Sequence, residues 1–308
     1  MSAGDKPRLA IIGWPVSHSR SPLIHNHWLV GHAIEAVYEP YPVAPDEDFC
    51  AALDAMAAQG FIGANVTIPH KEAAFAAMDE LSAAAESLGA VNTISFAGGR
   101  FSGDNTDGDG FLAGLEAAAP RHDWRERPAL ILGAGGAARA IVAALARAGV
   151  GDIRLTNRTR AKAEALASLS EGVSVGDWEA RGDLLEGCGL LVNTTSLGMD
   201  GAPPLDMPLD ALGLGLGLGL GSGLDLGGLS SESGPGKTPA AAIVSDIVYT
   251  PLETPLLRAA RAAGHIGVDG LGMLLNQAAL AFEIWFGVRP TIDAALRDKL
   301  IASLNEEA

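Results

Sequence analysis

Short apolar runs recur along this 308-residue chain, separated by stretches in which apolar residues return every third or fourth position. The run RLAIIG (8–13) has the length and composition of a buried strand. The polar loop after it leads into a helix whose start is marked by Ser21 as N-cap and Pro22 at the first helical position. The alternation continues with a strand-like run at 37–43, helical spacing over 46–58 that stops at Gly60, and a second strand-like run at 61–68. Repeated strand and helix favour a parallel or mixed sheet covered by helices.

A further helix is expected near Asp107, and past the polar stretch RHDWRERP a second α/β unit opens with the apolar run 129–132. Its strands are expected near 152–156, 189–193 and 242–246, and helices over 271–286 and 291–304 close the chain. A single core rarely grows beyond roughly 250–300 residues, so two α/β domains are the expectation. One segment is out of character: residues 212–237 are Gly/Leu and then Gly/Ser low complexity. Glycine at alternate positions loses much entropy on ordering and offers no side chain to pack, which predicts a flexible surface insertion.

Hydrophobic residues make up 48% of the chain, enough for a sizeable core, and the formal net charge is −16. Such a field repels phosphate backbones and anionic lipid surfaces, so neither nucleic acid nor a membrane is an expected partner. A small anionic substrate stays compatible if a local group of donors outweighs that field. The N-terminal residues MSAGDKPRLA carry no secretory pattern, and the richest apolar stretch, 278–288, is interrupted by Glu283. The expected location is the cytoplasm, and a homodimer is an admissible assembly. Cys50 and Cys188 lie far apart without a CxxC partner and read as isolated buried thiols.

The run 129–132 leads directly into Gly133, Ala134, Gly135, Gly136 and Ala137, followed by a helical pattern that ends near Gly149. Gly133, Gly135 and Ala138 fit G-x-G-x-x-G/A, in which small residues let backbone N–H groups approach a pyrophosphate at a helix N-terminus. About twenty residues later the next strand ends in Asn157, Arg158, Thr159 and Arg160, with no acidic residue through Ala163. An acidic residue there would hold a ribose 2′-hydroxyl, whereas arginine can grip an added 2′-phosphate, so the predicted cofactor is NADP(H).

In the first half, GWPVSHSRSP (13–22), NVTIPHK (65–71), GAVNT (89–93) and GDNTDG (103–108) set unusual polar residues beside apolar runs. With NRT (157–159), NTTSLGM (193–199), DIVYTPLETPLL (246–257) and DGLGMLLNQA (269–278), they resemble, in order and spacing, the shikimate dehydrogenase family. The resemblance spans most of the chain. It implies a substrate-binding and catalytic domain of residues 1–107 with 271–308, and a Rossmann-type NADP-binding domain of 108–270 that carries the insertion. It also implies that Ser19 and Ser21 hold a substrate carboxylate, and that Asn65, Thr67, Asn92, Asp107 and Gln277 line a cyclohexene ring and its hydroxyls. Lys71 is the residue to which proton transfer is assigned. Thr194, Ile247, Gly270 and Met273 fall in segments facing the nicotinamide, and Tyr249 in one facing substrate or nicotinamide.

The implied reaction is reversible reduction of 3-dehydroshikimate to shikimate, a step of aromatic amino acid biosynthesis. Hydride arriving at a ketone carbon builds alkoxide character on oxygen, and a lysine ammonium held by Asp107 can supply the proton. Lys71 could alternatively serve mainly to orient substrate. Hydroxyl donors suit a carboxylate, each such bond contributing about 1.5–3 kcal/mol, without adding formal charge. His18, His25, His27, His32 and His70 do not fall at spacings that gather ligands on one helical face, so no metal is expected. Two alternatives remain at this point: a quinate/shikimate dehydrogenase with relaxed cofactor use, and a non-catalytic sensor of shikimate-pathway metabolites.

Overall fold

The first set of apolar runs pairs into a six-stranded mixed sheet in the computed structural model, which describes residues 6–168, 171–213 and 241–305. Its elements are β1 (Arg8–Gly13), α1 (Ser21–Gly31), β2 (Val37–Pro42), α2 (Phe49–Ala58), β3 (Phe61–Val66), α3 (Lys71–Ala77), β4 (Glu80–Leu81), α4 (Ala83–Leu88), β5 (Thr93–Ala97) and β6 (Arg100–Asp104). The strand order is β2-β1-β3-β5-β6-β4. β1 runs parallel to β2 and β3, whereas β5 is antiparallel to both β3 and β6. The strand-and-helix alternation does not disclose this hairpin; its signal is the Gly98-Gly99 pair between two short runs.

The second set continues with α5 (Asp107–Ala118), β7 (Ala129–Leu132), α6 (Gly136–Arg147), β8 (Ile153–Thr156), α7 (Arg160–Ala167), β9 (Val173–Val175), β10 (Leu190–Asn193), β11 (Ile243–Asp246), α8 (Pro255–Ala262) and β12 (Ile266–Val268). These six strands are all parallel, in the order β12-β11-β10-β7-β8-β9. Every residue of β7, β10 and β11 is buried, as expected for strands covered on both faces. β7 lies between β8 and β10, so strand order reverses there and leaves a crevice beyond its C-terminal end. The two α/β domains expected from the pattern are present.

Helices α9 (Leu271–Phe286) and α10 (Ala294–Asn305) return to the first sheet, where Leu275, Phe282, Leu296 and Leu300 join Ile24, Trp28 and Tyr38 in one core. Phe111 and Leu115 of α5 belong instead to the core of the second sheet. The two helices meet through glycine: a Cβ at Gly110 would fall 2.6 Å from the backbone nitrogen of Gln277, and one at Gly114 2.7 Å from the carbonyl carbon of Gly272. No helix among the described residues is long and apolar enough to cross a membrane.

Three expectations need correction. Ser21 is the first residue of α1 and not its cap: Arg20 holds the N-cap position, and the Ser21 N–H donates to Ser19 Oγ at 3.3 Å. Cys188 is buried but Cys50 is exposed, because it lies on the outer face of α2. Leu212, placed in the insertion, is only 2% exposed and bridges to Glu186, so it packs with the second domain. The remainder of the proposed insertion, from residue 214, lies outside the described residues.

His25 is buried among aromatic rings, stacked on Tyr38 with centroids 4.2 Å apart, and neither of its ring nitrogens has a hydrogen-bond partner among the described residues. Burial pulls its pKa down to about 3. The unfolded chain therefore binds a proton that the native state refuses, and stability falls as pH drops from about 6.5 toward 3. Urea unfolding at pH 7 and pH 5 should show a loss from this source of about 2 kcal/mol, and His25→Gln should remove most of that pH dependence.

Candidate active site

Where β3 ends, the segment NVTIPH carries the chain to Lys71, the first residue of α3. The loop is pinned by His70, whose Nε2 lies 2.7 Å from the Val43 carbonyl oxygen and whose ring stacks on Phe49. Asp107 opens α5, where a carboxylate complements the helix dipole, and its backbone N–H donates to Asn105 Oδ1 at 3.2 Å. Lys71 Nζ donates to Asp107 Oδ2 at 2.5 Å. The lysine side chain is 26% exposed and the aspartate 11%, so the cationic end of the pair is the more open to solvent.

The other carboxylate oxygen is also held, since Asn92 Nδ2 donates to Asp107 Oδ1 at 2.8 Å. Asn92 is itself oriented by the Thr106 N–H, which donates to its Oδ1 at 2.9 Å. Gln277 of α9 stands beside it, with Oε1 3.5 Å from Asn92 Nδ2, and Thr106 Oγ1 donates to the Gln277 carbonyl oxygen at 3.1 Å. Asn65 Nδ2 reaches the Asn92 carbonyl oxygen and Thr93 Oγ1, both at 3.2 Å. Residues from β3, β5, α3, α5 and α9 thus form one wall of amide, carboxylate and ammonium groups. Ser19 and buried Ser21 lie beyond the end of β1, and half-buried Thr67, just past β3, donates its N–H to the Ile12 carbonyl oxygen.

In the second domain, β7 runs into the glycine-rich turn. Gly133 has φ +110°, and a Cβ there would lie 2.5 Å from Thr194 Oγ1, so a larger residue fails on both counts. Gly135 caps α6 and Gly136 begins it, with no heavy atom within 4 Å of a Cβ built at either. There is therefore open space beside the first turn of a twelve-residue helix, with half-buried Ala134 and Ala137 alongside, a setting that suits a dinucleotide pyrophosphate. Thr194 turns back to donate from Oγ1 to the Leu132 carbonyl oxygen at 2.7 Å, so its side chain braces the turn.

Beyond β8, Asn157 Nδ2 donates to the Thr159 carbonyl oxygen at 2.9 Å and closes the loop on itself. Arg160 is engaged in ion pairs with Glu164 and Asp177, whereas exposed Arg158 has no ion pair among the described residues. Lys162, in the same first turn of α7, is a second exposed cation that the motif reading passes over. Ile247 and Gly270 pack together, a Cβ at Gly270 falling 2.2 Å from the Ile247 carbonyl oxygen, and half-buried Met273 lies against the second core. Tyr249 approaches the substrate-side segment: burial raises its phenol pKa, and the Arg20 charge partly offsets that rise.

Asp246 lies in a segment read as facing ligand, yet it is fully buried. Its Oδ1 accepts from Asn193 Nδ2 at 2.9 Å and the Val248 N–H at 3.1 Å, and its Oδ2 from Thr254 Oγ1 at 2.7 Å. Burial pushes this carboxyl upward in pKa while those three hydrogen bonds pull against it. Because Asn193 Oδ1 in turn accepts from the Thr195 N–H and hydroxyl, Asp246 fixes two loops that border the glycine-rich turn.

Three family models match successive parts of the chain: the shikimate dehydrogenase substrate binding domain over residues 11–94, shikimate / quinate 5-dehydrogenase over 116–196, and the shikimate 5′-dehydrogenase C-terminal domain over 270–297. A shikimate dehydrogenase (NADP(+)) of Rhodospirillum rubrum is 50% identical over 301 residues, covering 95% of this chain and 96% of its own. The shikimate 5-dehydrogenase of Thermus thermophilus, solved with NADP(H) and shikimate, superposes with a TM-score of 0.77 at 33% identity, covering 98% of this chain and all of its own. Quinate dehydrogenase from Corynebacterium glutamicum, solved with NAD, gives 0.82 at 30% identity over 97% of this chain and 99% of its own.

Replacing Asp246 tests the buried node. Asp246→Ala leaves three donors without an acceptor and should cost about 2–4 kcal/mol in urea unfolding, whereas Asp246→Asn, which keeps one carbonyl oxygen in place, should cost less than half as much.

Proposed function

The chain belongs to the shikimate dehydrogenase family, and from that premise we propose that it reduces 3-dehydroshikimate reversibly to shikimate at the Lys71–Asp107 pair, using NADPH. The observation that carries the reading is the 2.5 Å contact between Lys71 Nζ and Asp107 Oδ2, set in the amide wall. NADPH, held by Gly133 to Ala137 and Arg158, would supply the hydride that the ring carbonyl carbon takes up. Lys71, with one ammonium proton directed to Asp107, delivers another to the carbonyl oxygen as negative charge grows there. Asp107 holds the lysine in place and restrains its direction.

Ser19 and Ser21 bind the substrate carboxylate through hydroxyl hydrogen bonds, Tyr249 closes over that end, and Asn65, Thr67, Asn92 and Gln277 sort the ring hydroxyls. Gly133 to Ala137 receive the pyrophosphate. Arg158 and Lys162, with Asn157 and Thr159 shaping the loop, receive the 2′-phosphate, while Arg160 restrains Asp177. Thr194, Ile247, Gly270 and Met273 border the nicotinamide. Residues 1–107 with 271–308 form the substrate half and 108–270 the cofactor half. The same reading sets the enzyme in the cytoplasm and makes a homodimer the assembly to test by light scattering.

Absorbance at 340 nm with shikimate or quinate against NADP or NAD should give shikimate with NADP the highest kcat/KM. Lys71→Ala should lower kcat about 10²–10⁴-fold while substrate affinity falls far less. A variant as fast as the parent removes Lys71 from the chemistry. Arg158→Ala should raise the KM for NADP about tenfold and leave that for NAD nearly unchanged, consistent with loss of a charged hydrogen bond.

A further inference from the structure

Asn65 is buried at the end of β3, and both of its amide protons point toward Asn92 and Thr93. Its oxygen faces the other way, where Tyr38 Oη donates to Oδ1 at 2.7 Å. Tyr38 belongs to β2, two strands from β3 in the sheet, and is only 2% exposed. Two consecutive residues of α1 hold it there. Asn26 Oδ1 accepts from the Tyr38 N–H at 3.0 Å and Asn26 Nδ2 donates to the Tyr38 carbonyl oxygen at 2.7 Å, while the neighbouring His25 ring stacks on the phenol at 9°. Asn26 Nδ2 also reaches the Pro22 carbonyl oxygen at 2.8 Å, next to Ser21.

We propose that Tyr38 is a positioning residue for substrate binding: its hydroxyl sets the orientation of the Asn65 carboxamide and aligns the ring-binding wall with the serine anchor on α1. The inference rests on the reading that Ser21 and Asn65 meet the substrate. A carboxamide presents opposite polarity at its two ends, so a buried donor on one side decides which end faces the neighbours on the other. Phenylalanine would remove the hydroxyl that donates to Asn65 Oδ1, and the loss is felt because that oxygen is buried. Burial raises the phenol pKa well above its ordinary value, so the proton stays on Tyr38 throughout the working pH range.

The test is Tyr38→Phe in the full-length enzyme, which keeps the ring and its stacking on His25. The KM for shikimate should rise about tenfold, with kcat within threefold, the KM for NADP unchanged and the pH profile of kcat/KM unmoved. In an Asn65→Ala background the same substitution should have no further effect on the shikimate KM, because the carboxamide it acts through is gone. Equal shifts in both KM values, or the same effect with and without Asn65, would overturn the proposal. Ser21→Ala and Asn65→Ala separate the two ideas. If both raise the shikimate KM and Tyr38→Phe does not, only the role of Tyr38 fails; if neither does, the substrate-site reading fails with it.

Discussion

The close approach of α5 and α9 makes one site out of two separate sheets. α5 contributes Phe111 and Leu115 to the second core, and α9 contributes Leu275 and Phe282 to the first. Side chains at Gly110 and Gly114 would hold these helices apart, since a Cβ at either meets the backbone of α9 below 3 Å. With glycine there, Gln277 arrives beside Asn92 and Thr106, and Asp107 at the head of α5 arrives beside Lys71. The Lys71–Asp107 pair is therefore a product of helix packing as much as of the loop that carries the lysine.

Once assembled, the polar wall has to satisfy itself, because a buried donor or acceptor without a partner costs about 1–3 kcal/mol. Asn92 shows how this is done: its oxygen takes the Thr106 N–H and its nitrogen gives to Asp107. Asp246 performs the equivalent service for the loops beside the glycine-rich turn, with its three donors. Both nodes trade side-chain freedom for fixed direction, which is what recognition of several hydroxyls on one ring requires.

Much of this was readable from the residues because periodicity reports local burial. The run 129–132 became β7 and the helical stretch 271–286 became α9 with the same limits. The β5/β6 hairpin was harder, because five-residue strands with half-exposed faces carry little alternation. At the site, residue type indicated chemistry but not direction. Thr194 faces inward to Leu132, Asp246 is wholly enclosed, and Arg160 is engaged by Asp177, a residue seventeen positions away that no local motif includes. Tyr38 escaped for the same reason: it reads as one residue of a strand-like run, and its partner lies 27 residues on.

The same constraints bear on which member of the pair moves the proton. Asp107 is gripped at both carboxylate oxygens and at its backbone nitrogen, so it has no freedom to turn toward a ligand without breaking a buried bond. Lys71 has one hydrogen bond on its amine among the described residues, sits at the start of a short helix, and is the more exposed of the two. A group that must follow charge as it develops on a substrate oxygen needs spare donors and a little reach, and an ammonium on a four-carbon stem has both. In the proposed reaction the fixed carboxylate returns the lysine to the same place after each turnover. Rigidity on one partner and reach on the other is the arrangement expected when lysine delivers the proton and aspartate holds the line along which it is delivered.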